Sequence, residues 1–449
     1  MASFVLACGP TDPAASERGS SRDAPLARGE APNILLIVAD DLGYGDLGLH
    51  NPDIVSTPRL DALAAEGLHF TDFYADSPMC SASRASLLTG RTPRHHGLGS
   101  SITTAHGDGL SLDERLLPEL LVERGYATGL IGKWHLGHAG AQRPTRRGFQ
   151  EFFGMLRASS GYTSHSWRGL PDLWRGEQAV TAEGRYSTEL FSDEAVSFIE
   201  RHAHDAWFLT LSYNAPHLAD DRRSMPAPAE QLARFTQADG APLEGLSPER
   251  AAYLATVAAL DQGIGKVLDA LAAADLERDT LVVFLSDNGA LPPWGSNAPF
   301  IGMKDSLDEG GIRVPCLVRW PGHVPAGARR IAPARGSDWF PTLLAVAGAR
   351  RPAEPSLDGV DLSALLFDDV TPDRPPLAFE HLSRRVDSNG QPRHDFALRD
   401  GRWRLDLSSS GKPRLFDLRV DPGQQRDLAG AQPEKTAALR AMLESSLAR

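Results

Sequence analysis

The sequence predicts an α/β protein: a large mixed, mostly parallel sheet flanked by helices, followed by a small C-terminal antiparallel sheet plus a helix. Three observations predict it. Apolar runs bounded by turn formers recur at Asn33 to Val38, Ala127 to Ile131, Trp207 to Ser212, Leu281 to Leu285 and Val314 to Val318. Most are continuous rather than alternating, the pattern of strands covered on both faces, and amphipathic helical stretches lie between them. Beyond Pro375 this rhythm gives way to short segments at hairpin spacing.

Taken in order, residues 1–30 open with the apolar stub Phe4-Val5-Leu6-Ala7-Cys8 and continue in a Pro, Ala, Ser and Gly-rich stretch. Too little apolar surface is available there to order the chain, so a flexible tether is expected. The stub resembles the end of a bacterial lipoprotein signal, with Cys8 as the acylated residue and candidate lipid anchor. On that reading the protein is exported, to the periplasm or cell surface. If the stub is an ordinary terminus, the protein is cytoplasmic.

The main α/β domain is expected over residues 31–370. Within it, Ser247-Pro248 forms a cap and first-turn pair, and Tyr253, Val257, Leu260, Ile264, Val267 and Leu271 then fall on one helical stripe. Another helix is expected to start near Cys80 and stop at Gly90. Residues 371–449 are expected to form the small subdomain. Its strands read as Leu377 to His381, Phe396 to Arg399, Trp403 to Leu407 and Arg414 to Leu418, closed by a helix over Pro433 to Leu447.

Composition bounds the function. The 449 residues suffice for one large domain and a smaller one, and 41% hydrophobic with 23% charged residues is ordinary for a globular chain. No stretch approaches the roughly 18 to 20 apolar residues of a membrane span. A net charge of −12 argues against a nucleic-acid partner. It also requires any anion site to concentrate its own positive charge. Three cysteines, Cys8, Cys80 and Cys316, are too few for a disulfide framework, and Cys316 in the run Cys316-Leu317-Val318 reads as a small buried hydrophobe.

The polar clusters follow the strands. Asp40-Asp41 comes after the first, Lys133-Trp134-His135 after the second, Asn214-Ala215-Pro216-His217 after the third and Asp287-Asn288-Gly289 after the fourth. Ligands in open α/β sheets bind beyond the carboxyl ends of strands, so these clusters are candidates to converge on one site. Each alone has an ordinary alternative as a solvated turn or a packed histidine. Together Asp40, Asp41, Asp287 and Asn288 offer only oxygen donors, a set that favours Ca²⁺ or Mg²⁺ over zinc. Cys80 and Arg84, four apart on one helix face near its N-terminus, read as an activated cysteine or, equally, an inert core one.

The run Cys80-Ser81-Ala82-Ser83-Arg84 leading to Leu87-Leu88-Thr89-Gly90-Arg91 is similar to the signature C-x-(P/A)-x-R…T-G-R of the type I sulfatases of the alkaline phosphatase superfamily. Also similar, and in family order, are Pro32-Asn33-Ile34 through Asp41, Gly132-Lys133-Trp134-His135-Leu136-Gly137, Pro216-His217, Ser286-Asp287-Asn288-Gly289, and Gly302-Met303-Lys304 through Pro315. The resemblance implies an alkaline-phosphatase-like fold and a sulfuric ester hydrolase. It implies that a formylglycine-generating maturation enzyme oxidises Cys80 to formylglycine, whose hydrate has two hydroxyls. One attacks sulfur and expels the alcohol; the other then loses its proton and ejects sulfate as the aldehyde reforms. Cys80 would share a Ca²⁺ site, with Mg²⁺ as the alternative, with Asp40, Asp41, Asp287 and Asn288. By the same resemblance Arg84 holds the diol, His135 is the base of the elimination, Lys133 and Lys304 clamp sulfate oxygens, and His217 contacts sulfate and helps protonate the leaving oxygen. Ala82 stands where many members have proline, and Met303 where glycine is common.

Two other readings stay open at this level. One is a phosphonate or phosphate monoester hydrolase of the same superfamily; the other is a non-catalytic anion-binding protein with Cys80 unmodified. The expected substrate is a sulfated small molecule or polysaccharide, with a carbohydrate favoured. The segments Ser159 to Arg168 and Ala290 to Ile301, with Tyr162, Trp167, Trp294 and Phe300, are the candidate outer wall of the pocket, or else packing residues.

Overall fold

A computed structural model describes residues 29, 31–102, 109–221, 223–386, 390, 392–409 and 411–448. The expected stub, with Cys8, lies outside the described residues. Among those described, ten strands form the main sheet. From one edge they run Ala328–Arg330, Leu68–Phe70, Cys316–Arg319, Thr280–Ser286, Asn33–Ala39, Trp207–Ser212, Ala127–Lys133, Glu151–Met155, Trp174–Arg175 and Gln178–Ala179. The five strands from Thr280–Ser286 to Glu151–Met155 are mutually parallel.

The first strand shows why continuous apolar runs form this sheet. Ile34, Leu36 and Val38 enter the core layer containing Leu87, Leu88, Leu120, Leu121, Phe340 and Leu343, carried by helices Cys80–Thr89, Leu117–Arg124 and Trp339–Val346. Leu35, Ile37 and Ala39 face the opposite layer, where Pro58–Ala65, Ser187–Arg201 and Pro248–Ala273 pack. Both faces are covered, so alternation would leave polar groups dry. Helix Pro248–Ala273 is capped by Ser247, whose Oγ accepts from Arg250 N at 3.2 Å, and the whole predicted stripe from Tyr253 to Leu271 is buried.

In the main sheet one strand starts later than its apolar run. Val314 to Val318 becomes Cys316–Arg319, antiparallel to Thr280–Ser286. Pro315 has no N–H to offer a ladder, so pairing starts after it. Cys316 is fully buried in the core, and burial pushes its thiol well up, which makes it inert.

The C-terminal sheet joins strands Leu377–Val386, Pro392–Asp400, Trp403–Leu407 and Pro413–Asp417 in consecutive antiparallel order, covered by helix Pro433–Leu447. Buried ion pairs tie it to the main part: Arg404 to Glu309 at 2.6 Å and Arg399 to Asp72 at 2.8 Å. His381 Nε2 meets Asp305 Oδ1 at 2.8 Å, which sets this sheet beside Lys304. No helix among the described residues is long and apolar enough to cross a membrane.

Candidate active site

All four polar clusters meet at the carboxyl ends of adjacent parallel strands. Asp40 and Asp41 follow Asn33–Ala39, Asp287 and Asn288 follow Thr280–Ser286, Lys133 and His135 end and follow Ala127–Lys133, and His217 lies beyond Trp207–Ser212. Helix Cys80–Thr89 points its first turn, with Cys80 and Arg84, into the same space, and Gly90 ends it with φ +70°. A Cβ at Gly90 would approach Phe340 Cβ to 2.9 Å, so both backbone and packing demand glycine. Asp41 and His135 themselves hold left-handed backbone, φ +64° and +57°. Strain of that kind persists only where the surroundings enforce it.

Charge is densely paired. Arg84 Nε and Nη2 both lie 2.8 Å from Asp287 Oδ2, and Arg84 Nη1 donates to Lys133 O at 3.3 Å and to Ser212 Oγ. Lys133 Nζ donates to Asp40 Oδ2 at 2.6 Å; Lys304 Nζ reaches Asp41 Oδ1 and Oδ2 at 2.6 and 2.8 Å. Asn288 Nδ2 donates to Asp41 Oδ1 at 2.7 Å and Asp41 N to Asp287 Oδ1 at 3.2 Å. Three carboxyl groups thus share one water-poor pocket. Burial pushes Asp40 and Asp287 up, against Lys133 and Arg84 respectively. Burial acts on Asp41 too, but Lys304 and His217 outweigh it and hold that carboxyl low.

The donor set fits a hard divalent cation. Asp40 Oδ1 and Asn288 Oδ1 are buried acceptors without a hydrogen-bond partner, a costly state that a cation would relieve. The side-chain donor atoms of Asp40, Asp41 and His217 lie within 4.8 Å of one another. An imidazole nitrogen therefore stands at the edge of what the sequence presented as a purely oxygen set. Four oxygen-bearing side chains still outnumber it, which keeps the site nearer to Ca²⁺ or Mg²⁺ than to zinc.

Cys80 is 2% exposed, and its Sγ lies 3.3 Å from His135 Nδ1 and 3.2 Å from Ser101 Oγ. Burial raises the thiol, but Lys133 and Lys304 together bring it below its ordinary value. Burial, aided by Lys133, holds His135 well below its usual value, so the ring is neutral. His135 Nε2 faces Ile102 O at 2.9 Å, and a carbonyl only accepts. The proton is therefore assigned to Nε2, leaving the Nδ1 lone pair towards Cys80. His217 Nδ1 likewise faces Leu218 O at 2.7 Å, with Nε2 3.5 Å from Asp41 Oδ2. Burial and then Lys304 push His217 down to about 4.

The structure brings together every residue the sequence nominated: Asp40, Asp41, Cys80, Arg84, Lys133, His135, His217, Asp287, Asn288 and Lys304. Sequence reasoning missed Ser101, Ile102 and Ser212, ordinary residues whose only signal is tertiary contact. Of the aromatics nominated for the outer wall, Tyr162 is buried, stacked on Tyr186, with its hydroxyl donating to His217 O at 2.8 Å. Phe300 packs edge-on against Tyr44 beneath Arg313, and Trp294 leans on the core. Trp167 alone of the four borders a small cavity shared with His135.

Comparison with known proteins gives the site its context. The Sulfatase family model matches residues 32–349. The chain belongs to the sulfatase family. It is 34% identical to human N-acetylgalactosamine-6-sulfatase over 462 residues, covering 91% of this chain and 84% of that one. It is also 34% identical to human arylsulfatase A, covering 93% and 88%. A crystal structure of Ps i-CgsB in complex with k-i-k-neocarrahexaose superposes with a TM-score of 0.84 at 32% identity, covering 93% of each chain. Each of these matches covers more than nine-tenths of this chain. The fold expected from the sequence, alkaline-phosphatase-like with a small C-terminal antiparallel sheet, is the fold observed.

Proposed function

We propose that this sulfatase removes sulfate from a carbohydrate ester, with Cys80 matured to formylglycine and a Ca²⁺ ion held by Asp40, Asp41, Asp287 and Asn288. The observation that carries the reading is the placement of Cys80. Its side chain stands against a neutral imidazole lone pair, in the field of the cations Arg84, Lys133 and Lys304 and beside Asp40, whose Oδ1 has no hydrogen-bond partner. The matured side chain supplies a two-hydroxyl nucleophile, and the cation, when bound, supplies Lewis-acid stabilisation of anionic oxygens.

The chain's own residues account for the rest. Arg84, spread over Asp287, Lys133 O and Ser212, holds a fixed positive charge against the first turn of the Cys80 helix. Lys133 and Lys304 put two ammonium groups in a chain of net charge −12, the local field an anionic ester requires. His135, neutral and with Nδ1 free to accept, takes the proton from residue 80 in the release step. His217 is kept unprotonated partly by Lys304; an arriving sulfate ester offsets that field and raises its affinity for the proton it passes to the leaving oxygen. The carbohydrate assignment draws on a relative named N-acetylgalactosamine-6-sulfatase and on a similar structure in complex with k-i-k-neocarrahexaose.

The test compares kcat/KM for a nitrophenyl sulfate with its phosphate and phosphonate counterparts, alongside a panel of defined sulfated sugars. Preference for sulfate, and for sugar over aryl esters, supports the proposal. Preference for phosphorus overturns the reaction class, and activity confined to aryl sulfates overturns the substrate. Peptide mass spectrometry reads the exchange of the Cys80 CH₂SH for CHO; an active enzyme with intact cysteine contradicts the maturation step.

A further inference from the structure

The hairpin Ser166–Trp167 with Leu170–Pro171 occupies a position the reaction leaves unexplained. On one side it is tied to the His217 segment, through Tyr162 Oη on His217 O and Arg168 N on Asp220 Oδ2. On the other it meets the His135 segment: His135 N donates to Leu156 O at 3.2 Å, and Arg157 follows directly. A cavity of about 20 Å³ is lined by His135, His138, Arg157 and Trp167 together. The segment that carries the hairpin therefore contacts both the His135 and the His217 segments.

Two guanidinium groups rest on one indole there. Arg157 Cζ lies 5.2 Å and Arg168 Cζ 4.8 Å from the Trp167 ring centroid, and Trp167 is only 8% exposed, a fixed platform. Arg157 gives one nitrogen to the buried Asp172 at 3.1 Å, while its Nε is buried with no hydrogen-bond partner. Asp172 is otherwise occupied by Leu156 N, Arg157 N and Ser160 Oγ, and Asp220 by the backbone of Arg168. The Arg168 guanidinium makes no ion pair among the described residues. Its backbone is left-handed, φ +50°, followed by Gly169 at +79°, a two-residue turn at whose first position asparagine or glycine is preferred. An arginine there costs stability, and strain held at the rim of a site points to a use for the side chain.

We propose that Trp167, Arg157 and Arg168 form a second anion subsite, taking a sulfate ester or carboxylate on the sugar unit adjoining the one desulfated; this rests on the carbohydrate sulfatase reading. Arg168 is the specificity residue, with spare N–H donors arranged as a fork for such oxygens. The Trp167 ring supports the Arg168 guanidinium, and Arg157, fixed on Asp172, adds a second positive charge on the same ring.

Arg168→Asn is the informative variant, because asparagine suits the turn while the guanidinium is lost. The full chain and this variant are assayed with three disaccharides, or their analogues, each sulfated on the unit to be cleaved: one with a neutral neighbour, one with a second sulfate on the neighbour, one with a uronate neighbour. The expected result is an unchanged or higher Tm and a fall of about tenfold in the ratio of kcat/KM for a dianionic over the monoanionic substrate. Whether the sulfate or the uronate ratio falls identifies the group bound. Ratios that stay within about twofold for both overturn the subsite. If the parent hydrolyses no sulfate ester, the catalytic reading fails instead. Calorimetric binding of the disulfated disaccharide then decides: weaker binding by Arg168→Asn upholds the subsite, and equal Kd overturns it.

Discussion

Replacing Lys133 by methionine removes the cation from a pair in which neither side chain meets solvent; Lys133 Nζ and Asp40 Oδ2 are 2.6 Å apart, each 0% exposed. Deleting one member of a buried pair costs about 3–5 kcal/mol, because the other charge is left uncompensated. Asp40 has little else to lean on: its Oδ1 has no partner and Arg84 Nη2 is 3.7 Å away. Burial already pushes Asp40 up, so the orphaned carboxyl takes a proton and escapes part of that cost. About 3 kcal/mol is therefore expected near neutral pH in the presence of a chelator. The sign of the pH effect follows. A carboxyl with a raised folded value binds more protons folded than unfolded, so stability is lost as pH rises through that value, and the deficit of Lys133→Met grows from acidic to alkaline buffer. Urea unfolding measures it, with three further expectations. Adding Asp40→Asn recovers most of the loss, excess Ca²⁺ narrows it, and kcat/KM falls at least tenfold from the lost charge-assisted contact. A Lys133→Met variant within about 0.5 kcal/mol of the parent in chelator, or a double variant with simply additive losses, would show that Lys133 and Asp40 are not coupled in this way.

Cys80→Ser leaves a single hydroxyl at the reacting position, so a sulfate once transferred has no second hydroxyl to eject it; intact mass after incubation with substrate should show one retained sulfo group, and rapid multiple turnover would contradict this. Burial pushes His69 down to about 3 and His96 to about 4, from about 6.5 in the unfolded chain. Between those values the unfolded chain binds more protons, so acidification through this window lowers stability by about 1.4 kcal/mol per pH unit for each histidine. His96→Gln should flatten that slope by one histidine's share in urea titrations at several pH values, and an unaltered slope counts against it. Gly90→Ala should lower stability by about 1–3 kcal/mol from the left-handed backbone, with the Phe340 overlap added, read as a fall in Tm.

How much of this was legible in the sequence depends on what carried each feature. The buried strands were, because a run such as Ile34-Leu35-Leu36-Ile37-Val38 has two covered faces and no other simple home. The Cys80 helix was, because Gly90 marks its end and the first turn holds Cys80 and Arg84 on one face. Strand direction was not: nothing in Cys316-Leu317-Val318 tells a parallel neighbour from an antiparallel one. Within the site, charged residues at strand ends announced themselves. Ile102 did not, since it acts through a backbone carbonyl that any residue has, and Ser101 and Ser212 are small polar residues in unremarkable surroundings. Tyr162 was legible only as an aromatic, and its partner, the carbonyl of His217, decides that it positions rather than lines.

On the proposed function, Asp40, Asp41, Asp287 and Asn288 hold a cation against a matured residue 80. A crystal structure of catalytically active protein, coexpressed with a formylglycine-generating enzyme and grown with Ca²⁺, tests it most directly. The prediction is one ion about 2.3–2.6 Å from oxygens of those four side chains and of a hydrated aldehyde at position 80. An intact thiol at Cys80 in an active preparation, or an ion bound away from these oxygens, would contradict it.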